Sequence, residues 1–443
     1  MTPPRQPDPA FPAGDSGAAE PLRRNVAHAQ RRRTSVTKRI VFSVVGAVAA
    51  VAVAVGAFAA YSYIDLSNGL HRSDITLPGG GKKKDVAESN ILVMGLDSRL
   101  DENGNALPAD VYNALHAGSQ ADGGYNANVL MLIHIPAGGK KAVGISIPRD
   151  DYAPLSGSPD GVSSSKIKEA YGLALDQKLT ELTKAGVAQS DAYQQARTFA
   201  RQTELQTVSD FLGGVRIDHF IEVTMAAFYQ VAQAVQPVTV CVAEDTQDPY
   251  SGADFKAGVQ QLSASQAVSF VRQRRDENNP SLNFTDLDRE RRQQAFIVSL
   301  ATKLKKADTF ANPATLESLI SAAKQNIALD SGFDLLSFAS EAQHLAGGNI
   351  TFTTLPITGY GVKDGKDVNL VDPDQIHSVV QQLLNPASAT ATPTPGASTT
   401  AGSPTSAAPA PSPSPTASKP AGPNGTYTDP TAPLPSGGVP CVK

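Results

Sequence analysis

Asn90-Ile-Leu-Val-Met-Gly-Leu-Asp97 is a short apolar run that ends on a carboxylate. It is too short and too evenly apolar for an amphipathic helix. It reads as a strand buried on both faces, with a charged group at its carboxyl end. Residues 129–135 and 142–147 repeat the pattern on either side of a Gly-containing turn at 136–140. Residues 220–223, 238–242 and 350–357 read as further strands, and 166 to about 213 is helical with short interruptions. Helices are predicted over 225–234, 262–273, 286–306, 315–325, 333–346 and 374–384. Strands interleaved with helices predict an α/β chain: an α-β-α layered domain with a mixed central sheet.

The flanks differ sharply from this body. The 443-residue chain carries a net charge of −4, but the total averages over unlike parts. Residues 1–39 hold eight Lys/Arg and three Asp/Glu, and 40–61 hold no charge at all. Residues 386–443 hold two Lys and one Asp, which leaves the body at −10. Such a body is no basic nucleic-acid-binding surface. The uncharged stretch IVFSVVGAVAAVAVAVGAFAAY (40–61) is long enough to cross a bilayer. Arg31, Arg32, Arg33, Lys38 and Arg39 precede it, whereas Arg72 is the only Lys/Arg in 62–81. That asymmetry predicts a single-pass plasma-membrane protein with a cytoplasmic amino terminus and an extracellular body. A cleaved signal peptide ending near Ala57-Phe58-Ala59 is the alternative, against which the length of the apolar stretch argues. The expected division is a basic cytoplasmic leader (1–39), a transmembrane helix (40–61), a linker (62–88), an extracellular folded domain (89–385) and a disordered Ala/Pro/Ser/Thr-rich tail ending in a Cys-containing segment (386–443). On an extracellular chain Cys241 and Cys441, the only two cysteines, are candidates for a disulfide. A buried Cys241 with a free Cys441 is the other reading.

Several chemistries are excluded. The seven His form no HExxH pair, and neither a G-x-S-x-G elbow nor a Walker A loop is present. What remains is strand-end carboxylates and clustered arginine. Phe270-Val-Arg272-Gln-Arg274-Arg275 is one burst, and Asp286-Leu-Asp-Arg289-Glu-Arg-Arg292-Gln293-Gln294 is the other. At helical spacing Arg289, Arg292 and Gln293 share a face. Guanidinium groups gathered this way suit a phosphate-type anion. A solvated helix face with internal ion pairs is the plainer reading, since the stretch also carries five acidic residues. Ser146-Ile-Pro148-Arg149-Asp150-Asp151 follows the third strand, so Arg149 and Asp150 stand at its carboxyl end, as Asp97 does after its own. Together they offer a guanidinium for phosphate and a hard carboxylate for a cation such as Mg²⁺; ordinary turn contacts are the alternative for each residue alone.

The order of these motifs decides the family. NILVMGLDSR (90–99), SIPRD (146–150), KIKEAY (166–171), the R-x-R at 272 and 274, and D-x-x-R-x-x-R-Q-Q (286–294) together resemble the LytR-CpsA-Psr family. The resemblance covers roughly residues 88–310. It implies an extracellular, membrane-anchored phosphotransferase with a hydrophobic pocket for a polyprenyl chain. The partners implied are a polyprenyl-pyrophosphate-linked glycan and a peptidoglycan acceptor, with no nucleic acid, and arabinogalactan is the obvious candidate polymer. Position by position, it implies a metal-linked carboxylate at Asp97 and a substrate-binding Arg99. Arg149, Arg272, Arg274 and Arg289 would take the pyrophosphate, with Asp150 adjoining and Lys166, Arg292 and Gln293 nearby. One position departs from the family pattern: Asn128 stands where a second Mg²⁺-binding Asp is usual. Mg²⁺ is therefore expected to bind weakly or with more waters. A lipid-pyrophosphate phosphatase and a non-catalytic wall-polymer-binding protein are the alternative functions.

Overall fold

The computed structural model describes residues 57–79, 88–116, 125–139, 141–304, 312–338, 349–385, 431–435 and 438–443. The strands of its two principal sheets are β1 (His71–Ser73), β2 (Ser89–Leu96), β3 (Ala127–Ile135), β4 (Ala142–Ser146), β5 (His219–Thr224), β6 (Val238–Val242), β7 (Gly258–Leu262), β8 (Ile327–Asp330), β9 (Ile350–Thr354), β10 (Leu434–Pro435) and β11 (Cys441–Val442). The helices are α1 (Ala109–Ala114), α2 (Glu169–Lys184), α3 (Gln189–Phe211), α4 (Met225–Val235), α5 (Ala264–Arg272), α6 (Asp286–Leu304), α7 (Pro313–Asn326) and α8 (Pro373–Leu384).

The larger sheet has the order β1-β8-β5-β2-β3-β4-β9-β10, and the smaller one β7-β6-β11. The larger sheet is mixed. β2 runs parallel to β5 and antiparallel to β3, and β4 is antiparallel to β3 but parallel to β9. β2, β4, β5 and β9 therefore all end at one edge, where β3 begins.

Alternation along β2 shows why the opening run is continuously apolar. Leu92, Met94 and Leu96 pack with Tyr171, Ala174, Leu205 and Val380 of α2, α3 and α8. Val93 points the other way, with Met131, into a core built from α4, α5 and α6 that includes Val268 and Phe296. Both faces of the strand are covered, so neither parity of residue can be polar. The expected α-β-α layering is what the chain adopts.

The expected helices are found close to their predicted bounds; of 333–346, residues 335–338 are helical and 339–346 lie outside the described residues. Two expected boundaries change. Within the stretch read as a linker, His71–Ser73 pairs with Ile327–Asp330 as an edge strand, and Leu70 is buried. At the far end, Leu434–Pro435 pairs with β9, and Cys441–Val442 lies parallel to Val238–Val242. Cys241 and Cys441 form the disulfide. The end of the stretch read as a disordered tail is thus folded onto the domain; 386–430 lies outside the described residues. So does most of the apolar run 40–61, of which 57–61 are helical. Among the described residues no helix is long and apolar enough to cross a membrane.

Beneath the loop that follows β2 lies a fully buried ionic cluster that sequence reading missed. Arg197 and Arg201 of α3 hold Glu102 at 2.8 and 2.9 Å, and Arg201 also holds Glu222 of β5 at 2.7 Å. Burial pushes the Glu102 carboxyl up to about 7, with Arg197 opposing. For Glu222 burial acts the same way, but Arg201 and Arg197 outweigh it and hold the carboxyl at about 2. Two guanidiniums thus face two carboxylates away from water. The cluster fixes where the loop from Asp97 to Glu102 sits.

Glu222→Ala is expected to destabilise the fold by about 3–5 kcal/mol, because it leaves buried cations without their partner; a shift in the urea midpoint measures it, and a shift within error contradicts the account. Nearby Glu204 is also fully buried, and burial pushes its carboxyl up to about 8 against a hydrogen bond from the Tyr171 amide. The folded state keeps that proton while the unfolded chain loses it above about 4.5. Stability should therefore fall as pH rises from about 4.5 to 8, on the order of a few kcal/mol. Glu204→Gln, whose amide oxygen can still accept from Tyr171, should flatten that decline in denaturation series at several pH values.

Candidate active site

The site forms at the edge where β2 and β4 end and β3 begins. β2 and β3 lose register there: Gly95 pairs with Val129 and Leu96 with Ala127, so Asn128 is the extra residue of a bulge. A bulge re-aims a side chain that regular pairing would have placed on a sheet face. Gly95 permits the close approach, since a Cβ added there would lie 2.8 Å from the Val129 Cβ. The re-aimed Asn128 donates from Nδ2 to Asp97 Oδ2 at 2.7 Å and accepts at Oδ1 from Arg149 at 2.8 Å. Asp97 Oδ1 accepts from the Asn126 amide at 3.1 Å. Burial raises the Asp97 carboxyl above its ordinary range, against the pull of Arg99.

Arg149 leaves β4 after Pro148 and reaches across to the first residue of α6. It donates from Nε and NH2 to the two oxygens of Asp286 at 3.0 and 2.9 Å. Arg289, one turn along α6, grips the same carboxylate from Nε and NH2 at 2.8 and 2.9 Å. Asp286 is thus held bidentately from two sides. Burial opposes its ionisation, but Arg289 and Arg149 hold its carboxyl far below the ordinary range. Glu290 lies behind this bracket, and burial and the Asp286 charge push its carboxyl up to about 8.

Two further arginines complete the cationic wall. Arg272, the last residue of α5, donates to the carbonyls of Leu115 and His116. Burial and the neighbouring charges of Arg99 and Arg274 lower its pKa. Arg274 is exposed, and among the described residues it forms no hydrogen bond or ion pair; burial of part of its surroundings and the Arg149 charge lower its pKa. Cations that destabilise one another in this way favour an added anion.

On the other side Asp150 meets Lys168 at 2.7 Å and Lys166 at 3.4 Å. Burial alone would raise the Asp150 carboxyl, but Arg149 and Lys168 hold it below its usual value.

The structure therefore brings Asp97, Asn128, Arg149, Asp150, Lys166 and Arg289 into one connected set, and Arg99, Arg272 and Arg274 act on it electrostatically. Arg99 also donates to the Asp97 carbonyl at 3.2 Å. Arg292 and Gln293 do not join this set. Arg292 is wholly buried, its guanidinium among the rings of Phe255, Phe270 and Phe284 and bonded to Gln273, Thr246 and the Lys443 carbonyl. It anchors the end of the chain instead of facing a substrate. Gln293 donates to the Val271 carbonyl at 3.3 Å. Sequence reading gave no role to Asp286 or Lys168, although both lie inside the quoted motifs D-x-x-R and KIKEAY. A surface pocket of about 540 Å³, lined by residues such as Ile75, Lys178, Gln194 and Phe199, contains none of these groups.

The expected Mg²⁺ does not fit Asp97 and Asn128 as a shared site. The Asn128 oxygen is turned to Arg149 and its amide nitrogen to Asp97, so the two side chains do not present converging oxygens. Reversing the amide would set oxygen against carboxylate and nitrogen against guanidinium. Among the described residues no three His, Cys, Asp or Glu side chains come together to hold a metal ion.

At this edge of the α-β-α sheet arginine outnumbers carboxylate, and guanidinium groups gathered in this way suit a phosphate-type anion. The LytR_cpsA_psr family profile matches residues 65–385, and the chain belongs to that family. It is 36% identical over 335 residues to the cell wall biosynthesis protein LcpA of Corynebacterium glutamicum, covering 74% of this chain and 62% of that one. This chain thus spans less than two thirds of that relative's length. It is 25% identical over 297 residues to the polyisoprenyl-teichoic acid–peptidoglycan teichoic acid transferase TagU of Bacillus anthracis, covering 66% of this chain and 78% of that one. The crystal structure of protein gbs0355 from Streptococcus agalactiae aligns with a TM-score of 0.47 at 18% identity, over 67% of this chain and 88% of that one.

Asn128→Asp is expected to create the converging carboxylate pair that the native site lacks. Mn²⁺ titrated into the variant and followed by electron paramagnetic resonance should bind at least about tenfold more tightly than to the native protein. Equal affinity would show that this position does not set cation binding.

Proposed function

We propose that this chain is a membrane-anchored, extracellular phosphotransferase that moves a glycopolymer from a polyprenyl-pyrophosphate carrier to peptidoglycan, leaving a phosphodiester. The observation that carries the proposal is the Arg149–Asp286–Arg289 bracket, set beside Arg99, Arg272 and Arg274 at the edge where Asp97 stands. Family membership and the names of the relatives support it, as does the apolar run at 40–61 with its basic leader.

In this reading the pyrophosphate lies against the arginines. An acceptor hydroxyl oxygen attacks the phosphorus that bears the sugar. The bond from that phosphorus to the bridging oxygen breaks, and polyprenyl phosphate leaves with the electron pair. Arg272 and Arg274 neutralise charge gathering on the phosphoryl oxygens, and Arg149 and Arg289, fixed by Asp286, hold the anhydride in place. The hydroxyl proton passes to Asp97. Its carboxyl is raised by burial, whereas the flanking cations hold that of Asp150 down, so Asp97 is the stronger base. The carrier's anhydride bond supplies the driving force, so no nucleotide is required outside the membrane.

The test is transfer of a radiolabelled glycan from a synthetic polyprenyl pyrophosphate to peptidoglycan by residues 62–443. Arg272→Ala combined with Arg274→Ala should lower the rate by at least about 100-fold. Asp97→Asn should abolish turnover while leaving carrier binding within about threefold. Full activity in the double arginine variant overturns the site assignment. Carrier binding without any transfer favours a wall-polymer-binding protein, and release of product to water alone favours a phosphatase.

A further inference from the structure

The hairpin Gly359–Lys363/Lys366–Leu370 has no part in the site described above, yet it is bonded directly to it. Its turn, at Asp364 and Gly365, holds both residues at positive φ, as a tight Asp-Gly hairpin requires. Tyr152 donates to Asp364 at 2.8 Å, and Lys366 donates to Ser165 at 3.1 Å. At the base, the Asn369 amide N–H donates to the Asp150 carbonyl at 2.8 Å, and its side chain donates to Asp151 at 2.9 Å. The hairpin is therefore a rigid extension of the Arg149–Asp151 segment.

Its outer face is not what a solvated hairpin needs. Tyr360 lies directly opposite Asn369 and Val362 opposite Asp367. Opposed residues in an antiparallel pair project to the same face, as do residues two apart. Tyr360 and Val362 thus stand on the face whose base is Asn369 and, through it, Asp150. Tyr360 is 66% and Val362 65% exposed. Val368 on the opposite face is buried. Burial raises the pKa of the Tyr360 hydroxyl, and the charges of Asp288, Asp286 and Glu290 on α6 add to that rise.

We infer that Tyr360, with Val362 beside it, is a stacking platform for a sugar ring of the substrate. The inference rests on the phosphotransferase reading and adds a saccharide subsite to it. A sugar bonded to a phosphate held at Arg149 would lie next to that residue, and the hairpin is bonded at Asn369, which faces Tyr360, to the adjacent Asp150. A pyranose offers a face of C–H bonds to an aromatic ring, while its hydroxyls stay in water; Tyr combines a rigid apolar body with a polar tip. A polyprenyl chain needs enclosing apolar walls, and an open hairpin face cannot supply them. The ring could belong to the transferred glycan or to the peptidoglycan acceptor, and the chemistry of recognition is the same for both.

The experiment uses the full chain in detergent and three probes: geranylgeranyl pyrophosphate without sugar, polyprenyl pyrophosphate bearing N-acetylglucosamine, and glycan strands released from peptidoglycan. Binding is measured by calorimetry for the native protein, Tyr360→Ala and Tyr360→Phe. Tyr360→Ala should weaken one sugar-bearing probe about tenfold and leave the sugar-free pyrophosphate unchanged; Tyr360→Phe should stay within about twofold throughout, because the ring does the stacking. The probe that weakens identifies the source of the sugar. Unchanged affinity for both sugar probes overturns the platform, as does an equal loss for the sugar-free one. Native protein that binds the sugar-free pyrophosphate but neither sugar probe also overturns it, and leaves the phosphotransferase reading standing. Native protein that ignores the pyrophosphate yet binds free glycan through Tyr360 has the opposite meaning. Tyr360 is exposed, so matching thermal midpoints should confirm that the variants are folded.

Discussion

The carboxylate of Asp286, gripped on one side by Arg149 and on the other by Arg289, is the interaction on which the site depends. One partner is anchored at the end of a central strand, and the other two lie on the first turn of a helix. Their shared ion triad therefore sets the distance between sheet edge and helix. Two guanidiniums left together without the carboxylate would repel each other in a buried setting, where Coulomb terms are stronger than in water. With it, they keep fixed positions and one net positive charge. Asn128 extends the same chain of bonds to Asp97, so a single polar network spans α6, β4, β3 and β2.

The molecule uses arginine in three distinct ways. In the Glu102–Glu222 cluster, two guanidiniums meet two carboxylates in full burial, and their role is structural. Arg292 is surrounded by aromatic rings and bonded to Gln273 and to a main-chain oxygen of Lys443, so it serves as a tie for that segment. At the sheet edge, cations outnumber carboxylates and partly face solvent. Only that third arrangement leaves charge for a ligand. A body of charge −10 thereby gathers positive charge at one place without becoming a polyanion-binding surface.

The central strands were legible because burial on both faces forces a continuous apolar run, as in Leu92 to Leu96. The short edge strands were not: His71–Ser73, Leu434–Pro435 and Cys441–Val442 owe their conformation to the strand beside them, and two or three residues carry no period of their own. Arg292 shows where helical spacing misleads. Arg289 and Arg292 are near neighbours on the helix, yet Phe255, Phe270 and Phe284 close over one while the other stays at the ion triad. Asn128 was visible as a departure from the family pattern, but its orientation was not, because a bulge is a property of two paired strands.

By itself the sequence determined the layered α/β class, the order of the main elements and the cluster of Arg, Lys and Asp at strand ends. These follow from local periodicity and residue chemistry, which a single chain carries along its length. Tertiary structure alone decided which arginines have partners, that Asp286 joins two of them, that Asn128 faces Asp97 with its nitrogen, and that the chain's end returns to the sheet beside Cys241. Each of those outcomes depends on groups far apart in sequence competing for the same few contacts. Only the folded arrangement settles that competition.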